Sequence, residues 1–322
     1  MHAMGWELRA GTFSFRSTLL VAVCLLWFRP GLAQATITAP TPVPTAAEKQ
    51  RLNELQNRLC ASKELNCDTL KSIFSDPRLQ IYPPPESAPP PSQPSKTRER
   101  NPYLTDHFGL LTPGSLERCR SFIQEHASSF DAAERTYGVP REVICGHLRI
   151  ETNFGIPTKL SPNPLGSRPA IDRLVSLYVR KPKVPRSQAG FTNRQKFAFT
   201  ELKDLFSASS KLGWDLFAIP GSSTGAIGLV QFEPSSFSVA VDANGDGKID
   251  LFDPDDAILS VAHYLVTRGW DRNLEHQKRA IYAYYGGHYD QDPNKFYMKA
   301  VLKYASEVRG YLADHPVQPA KF

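Results

Sequence analysis

Beyond its N-terminal segment the 322-residue chain has no apolar stretch approaching the ~20 residues a helix needs to span a bilayer. It also lacks an arginine-rich helix or a basic run with interleaved aromatics, so its charge is not arranged for nucleic acid. Its glycine-rich segment has no GK[ST] signature and no preceding strand, which argues against a phosphate loop. Cysteine is scarce, with five residues, one of them inside the N-terminal apolar run. What is present is a soluble globular composition, 41% hydrophobic and 22% charged. The length suits one large domain with accessory segments. A net charge of +6 favours anionic partners, such as a membrane surface or an acidic polymer, without choosing between them.

The N-terminus reads as an export signal. Arg9 and Arg16 precede the apolar run STLLVAVCLLWF, and Arg29, Pro30 and the A-x-A sequence Ala33-Gln34-Ala35 follow it. Residues 1–35 are therefore expected to be a signal peptide, placing the mature chain in the periplasm or outside the cell, with membrane anchoring left open. Cys24 sits within the apolar core behind Val23, a context that disfavours lipid attachment. Removal of the signal leaves Cys60, Cys67, Cys119 and Cys145, an even number in an oxidising compartment. Of three possible connectivities the local pair Cys60–Cys67 is favoured. Cys119 with Cys145 would then tie two consecutive helices together.

Composition divides the rest of the chain. Residues 36–81 read as a small helical segment carrying Cys60 and Cys67. Residues 82–102 contain YPPPESAPPPSQPS, whose prolines impose extended backbone and remove donors, and so form a linker. The compact domain is expected over 103–322. Ser115 to Tyr137 has the pattern of one helix, with Phe122, Ile123, Phe130, Ala133 and Tyr137 inward and Gly138 as its stop. Pro140 starts the next helix, and loop, helix, basic loop and helix follow through AIDRLVSLYV and FAFTELKDLF.

The chemistry concentrates at Ile144–Gly155, ICGHLRIETNFG. On a helix, Ile144, His147, Leu148 and Glu151 fall at i, i+3, i+4, i+7 and share one face. Burial disfavours an ionised carboxylate, and so does the negative end of the helix dipole if Gly155 ends the helix. The pKa of Glu151 should therefore be raised, as a general acid working near neutral pH requires. The plainer reading is a terminal glutamate paired with Arg149 or Lys159. Further on, Gly221–Phe237, GSSTGAIGLVQFEPSSF, is dense in glycine, suited either to close backbone approach to a ligand or to a tight turn. Residues 242–253, DANGDGKIDLFD, place Asp242, Asn244 and Asp246 at positions 1, 3 and 5 of a calcium loop, with Gly247 at 6. The Lys248 carbonyl is at 7, Asp250 at 9 and Asp253 at 12, the last an aspartate where glutamate is usual. In an exported protein such a single loop is expected to be a structural clamp for Ca²⁺. Tyr282, Tyr284, Tyr285 and Tyr289 then cluster beside a glycine pair, as core packing or as a surface for sugar rings.

Three of these stretches occur in one order: ETNFG, STGAIGLVQFEPSSF and AVDANGDGKIDLFDPDDAILSVAHYLVTRGW. Together they resemble the membrane-bound lytic transglycosylase B family over roughly residues 116–313. The resemblance implies a mainly α, lysozyme-like fold related to goose lysozyme with an EF-hand-like calcium loop, acting on peptidoglycan glycan strands. Glu151 would be the single acid/base, giving 1,6-anhydromuramyl products. Ser222, Gln231, Tyr284 and Tyr297 would line the cleft, together with Tyr285, which stands where the family usually has asparagine. Ile227 and Glu233 replace methionines, and Arg149 replaces a small residue. Cell-wall synthesis or remodelling proteins are further candidate partners. Rival readings are a goose-lysozyme-type hydrolase, a peptidoglycan-binding protein without turnover, and a dockerin, for which a paired repeat would be needed.

Overall fold

The computed structural model describes residues 43–62, 64–83, 101–105, 108–181 and 188–318. The expected signal peptide, with Cys24, and the greater part of the proline-rich linker lie outside these residues. The architecture is helical: α1 (Ala46–Ala61), α2 (Cys67–Ser75), α3 (Pro113–Glu125), α4 (Ala127–Tyr137) and α5 (Arg141–Thr152), then α6 (Ala170–Val179), α7 (Gln188–Leu212), α8 (Pro254–Thr267), α9 (Leu274–Tyr284) and α10 (Phe296–Asp314). Short 3₁₀ helices occupy Pro102–Leu104 and Pro234–Val239. Sheet is confined, among the described residues, to a two-residue antiparallel pairing of β1 (Arg168–Pro169) with β2 (Pro220–Gly221). None of the described helices is long and apolar enough to cross a membrane.

Helix α5 is at the centre. It packs against α10, α3, α4 and α8, and Val143 to Arg149 are all buried, so apolar contact surrounds the helix and is not limited to the expected stripe. Its approach to α10 depends on Gly146, where a Cβ would lie 3.1 Å from Val301 Cγ1 and 3.3 Å from the Val301 carbonyl oxygen. The close approach fixes the register of the two helices.

Several elements differ from the sequence expectation. The single helix expected over 115–137 is broken at His126 (φ −112°, ψ 34°) into α3 and α4. The break lets α3 face α10 while α4 faces α8. His126 is held there by its contact with Phe122, ring centroids 4.6 Å apart, and by Nδ1 lying 3.2 Å from Asp255 Oδ1 at the start of α8. Helix α7 extends through Gly190, expected as loop, and runs on to Leu212. Helices α1 and α2 pack together, and α1 lies against α6 and α7. Leu55 and Leu59 are fully buried. The chain that follows α2 is fastened to α6, where the Tyr82 amide donates to Ser176 Oγ at 2.8 Å and the Gln80 amide to Asp172 Oδ1 at 3.1 Å.

Both disulfides form as expected, Cys60–Cys67 and Cys119–Cys145. The second joins α3 to α5, with both cysteines buried. It closes a loop across 26 residues, for which chain-entropy arguments give about 3 kcal/mol of stabilisation. A Cys119→Ala/Cys145→Ala variant should unfold at lower urea than the parent, with an unfolding free energy smaller by an amount of that order. Equal midpoints would show that α5 is held without the bond.

Candidate active site

Glu151 occupies the last turn of α5. Its Oε1 accepts a hydrogen bond from the Tyr297 hydroxyl at 2.5 Å, from the first turn of α10. One turn earlier on α5, His147 places Nδ1 2.9 Å from the same hydroxyl. The imidazole lies against the Tyr284 ring, centroids 4.4 Å apart, and the Tyr284 hydroxyl donates to the Val230 carbonyl at 2.7 Å. Carboxylate, imidazole and two tyrosines from α5, α9 and α10 thus form one cluster. Tyr285 stacks on Tyr297 at 5.6 Å and is 58% exposed. Tyr103 meets Tyr297 edge-on at 6.1 Å. Tyr103, Tyr285 and Tyr297, with Phe108, Asn294 and Phe296, line a cavity of about 410 Å³ that lies beside Glu151's partner Tyr297.

Burial pushes the Glu151 pKa up to about 7, against the opposing hydrogen bond from Tyr297. Burial gives the direction expected from the sequence. Arg149 does not pair with the carboxylate. It leaves the opposite side of α5, where its Nε donates to Ser115 Oγ at 2.7 Å and its Nη2 to the Phe108 and Gly109 carbonyls at 3.0 and 3.2 Å. Lys159 makes no ion pair with Glu151 among the described residues. Burial drives His147 down to about 3, so it is neutral. Burial and then the Glu151 charge hold Tyr284 and Tyr297 well above the ordinary tyrosine value, so both remain donors.

The end of α5 is shaped by three successive residues in left-handed conformation, Asn153 (φ 54°), Phe154 (φ 59°) and Gly155 (φ 76°). The cap is Asn153, not the expected Gly155. Thr152, beside Glu151, donates from Oγ1 to the Leu229 carbonyl at 2.9 Å and so attaches the glycine-rich stretch to the helix. That stretch folds into a tight turn closed by backbone bonds between Ile227 and Phe232. Gly228 (φ 77°) is required because a Cβ there would lie 2.4 Å from the Leu251 carbonyl oxygen. Its glycine therefore serves close contact with the protein. Gln231 sits in the turn at φ 51°, its Nε2 donating to the Gly228 carbonyl at 3.0 Å. Ser222 stands apart from the Glu151 cluster and closes its own turn, its Oγ accepting from the Ala226 amide at 3.1 Å.

Leu251, against which Gly228 packs, belongs to the expected metal loop. The donors there are all hard oxygens, as calcium prefers. The loop's own amides engage them: Asp242 accepts from Gly245 and Gly247, Asn244 from Asp246, Asp246 from Lys248, and Asp250 from Phe252. Asp253 caps α8 through the Asp255 and Asp256 amides. The buried Asp256 accepts from the Ala243 and Asp250 amides, both at 2.7 Å. The donor types fit a hard cation, but among the described residues no group of three or more His, Cys, Asp or Glu is placed to hold one.

Sequence reasoning did not find Tyr103, Phe108 or the Nδ1 contact of His147. Tyr103 and Phe108 lie just past the expected end of the linker, where nothing local marks them as cavity walls. Glu233, which stands in place of a family methionine, is half-buried and raised to about 7 by burial and then by the Glu201 charge.

The family model for the transglycosylase SLT domain matches residues 47–305. Membrane-bound lytic murein transglycosylase B of Escherichia coli is 31% identical over 188 residues, 58% of this chain. The match covers 46% of that protein, so this chain spans about half the length of its curated relative. Among solved structures, the E. coli lytic transglycosylase Slt35 in complex with calcium aligns with a TM-score of 0.62 at 19% identity, over 82% of this chain and 94% of the other. Pseudomonas aeruginosa SltB3 in complex with NAG-NAM-pentapeptide aligns with a TM-score of 0.63 at 18% identity, over 83% and 80%. These likenesses show the fold, and the family match over most of the chain shows more: this chain belongs to the transglycosylase SLT domain family.

Proposed function

We propose that the chain is a peptidoglycan lytic transglycosylase in which Glu151 acts first as acid and then as base. The observation that carries this reading is a carboxyl group raised to about 7 by burial, with Tyr297 as its only hydrogen-bonding protein partner among the described residues and no second carboxylate acting on it. Glycoside hydrolysis ordinarily uses two carboxylates. A transglycosylase needs one, because the substrate supplies the other groups. Glu151 gives its proton to the oxygen between N-acetylmuramic acid and N-acetylglucosamine as the C1–O bond breaks. The 2-acetamido oxygen supports the positive charge at C1. The Glu151 carboxylate then removes the proton of the muramyl C6 hydroxyl, whose oxygen bonds to C1. A 1,6-anhydro sugar and a free 4-hydroxyl result, and no water is consumed. A pKa near neutrality suits a group that must give and then take a proton.

Tyr284, Tyr285, Tyr297 and Gln231 are assigned to the walls of the cleft on the strength of the cluster and of the turn bonded to Thr152. Ser222 is assigned to its outer end. That SltB3 is solved with a peptidoglycan fragment supports the same substrate class for this chain. The N-terminal reading places the activity in the periplasm or outside the cell.

Wild-type protein should release anhydromuropeptides from purified sacculi, lighter by one water than the products of a hydrolase, and Glu151→Gln should release none. Reducing-end products would replace this mechanism with hydrolysis. Stability supplies an independent check. The folded pKa lies above the ordinary 4.5, so folding carries no penalty from Glu151 below pH 4.5. The penalty grows as pH rises toward 7 and is constant above, at about 3 kcal/mol. Glu151→Gln keeps an acceptor for Tyr297 and removes the penalty. The variant should therefore melt above wild type at pH 8, with the difference closing near pH 4.5. A difference that is independent of pH would contradict the buried, raised carboxyl.

We propose further that the 242–253 loop binds a structural calcium ion through Asp242, Asn244, Asp246, the Lys248 carbonyl, Asp250 and Asp253. The spacing of the donors and the calcium complex of Slt35 support it. Bound there, the cation would screen the loop's carboxylates and brace Leu251 under Gly228. Calcium added to chelator-treated protein should raise the melting temperature, and Asp242→Ala should abolish the rise. An unshifted melt would remove calcium from the description.

A further inference from the structure

We infer that His147 is a positioning residue that determines which oxygen of Glu151 carries the catalytic proton. This rests on the reading of Glu151 as acid/base. The Tyr297 hydroxyl has one hydrogen and lies between two neighbours, Glu151 Oε1 at 2.5 Å and His147 Nδ1 at 2.9 Å. Two arrangements satisfy it. In the first, Tyr297 donates to Oε1 and His147 donates from Nδ1–H to the tyrosine oxygen. Oε1 is then occupied as an acceptor, and a proton bound by Glu151 sits on Oε2, which has no hydrogen-bond partner among the described residues and is free for substrate. In the second, Tyr297 donates to Nδ1 and the proton of Glu151 lies on Oε1, spent on the tyrosine. Only the first arrangement presents the proton to a glycosidic oxygen.

The other ring nitrogen decides between them. His147 Nε2 is buried and has no hydrogen-bond partner among the described residues. In the second arrangement a neutral imidazole must carry its hydrogen on Nε2, leaving an N–H buried with no acceptor. In the first, Nε2 is a bare acceptor. Orphaned N–H groups are the rarer of these defects in folded proteins. The want of a protein acceptor near Nε2 among the described residues thus selects the Nδ1–H form, which turns the tyrosine hydrogen toward Glu151. The ionisable groups facing the imidazole are Tyr284 from α9, Tyr297 from α10 and Glu151 from its own helix, with Tyr103 behind Tyr297. None carries positive charge, and burial keeps His147 itself neutral throughout the working range. Its contribution is therefore a fixed donor. Donation into the tyrosine oxygen also strengthens the tyrosine as a donor, which favours ionised Glu151.

Three proteins test this on sacculi: wild type, His147→Leu, which removes the donor, and His147→Asn, whose amide nitrogen can stand where Nδ1 stands. His147→Leu should lower kcat about tenfold with KM unchanged and move the alkaline limb of the kcat/KM profile to higher pH. His147→Asn should restore both. An unchanged kcat and pH profile in His147→Leu overturns the inference, as does an Asn variant that folds but performs no better than Leu. Should the Leu variant fail to fold, ¹⁵N spectra of histidine-labelled wild type decide the question. Protonation at Nδ1 supports the inference, and protonation at Nε2 overturns it. Glu151→Gln is assayed alongside: cleavage by that variant defeats the acid/base reading itself, whereas inactive Glu151→Gln with silent His147 variants defeats only the role of His147.

Discussion

A single hydrogen bond, from the Tyr297 hydroxyl to Glu151 Oε1 at 2.5 Å, holds the candidate site together, and much of the fold can be understood as what makes it possible. Its partners are 146 residues apart in sequence. They meet because α5 and α10 come close where Gly146 faces Val301, an approach that a side chain larger than hydrogen would oppose. The other side of α5 is held independently, by the bond from Cys145 to Cys119 and by Arg149, whose guanidinium reaches Ser115 and two carbonyls ahead of α3. A buried arginine bonded to neutral groups is costly, and burial lowers its pKa. It is turned away from Glu151, so the carboxyl keeps its raised pKa with no cation paired to it.

The glycine-rich stretch takes the second of the two roles its composition suggests, a tight turn packed against the protein. Its backbone approaches Leu251 on one side, and on the other it accepts from Thr152 and from Tyr284. The turn therefore couples the expected calcium loop, the end of α5 and the start of the tyrosine cluster. Gln231, strained into the left-handed region, is held in the turn by two bonds to Gly228. Such strain persists only where surrounding contacts over-determine it.

The legible parts were those carried by local pattern. The helix around Glu151, its inward glutamate, both cysteine pairs and the helical class follow from spacing, compartment and resemblance. Illegible parts depended on distant partners. A repeat of Phe122, Ile123, Phe130 and Ala133 cannot show a break at His126, because the break answers to Asp255 and to the separate faces of α3 and α4. His147 reads as one more member of an apolar stripe until Tyr297 is placed beside its Nδ1. Gly155 is a reasonable stop on propensity, yet Asn153 takes the cap, because Thr152 and Phe154 are fixed by Leu229 and by Phe122, the latter at 4.9 Å.

Tyr285 bears on whether a departure from the family pattern impairs the site. If an asparagine at that position helps hold the glutamate or the sugar's acetamido group, its loss should matter most at the carboxyl. In this chain the carboxyl is already served by Tyr297, itself backed by His147, and Tyr285 makes no hydrogen bond to either. It lies across the outer face of Tyr297 with more than half its surface exposed, on the wall of the cavity shared with Tyr103 and Asn294. An exposed aromatic face with a polar tip is suited to stack on a sugar ring. Under the proposed function, tyrosine in place of asparagine would exchange hydrogen bonding near the reacting atoms for apolar stacking along the strand, and would act on binding of the glycan before it acts on proton transfer at Glu151.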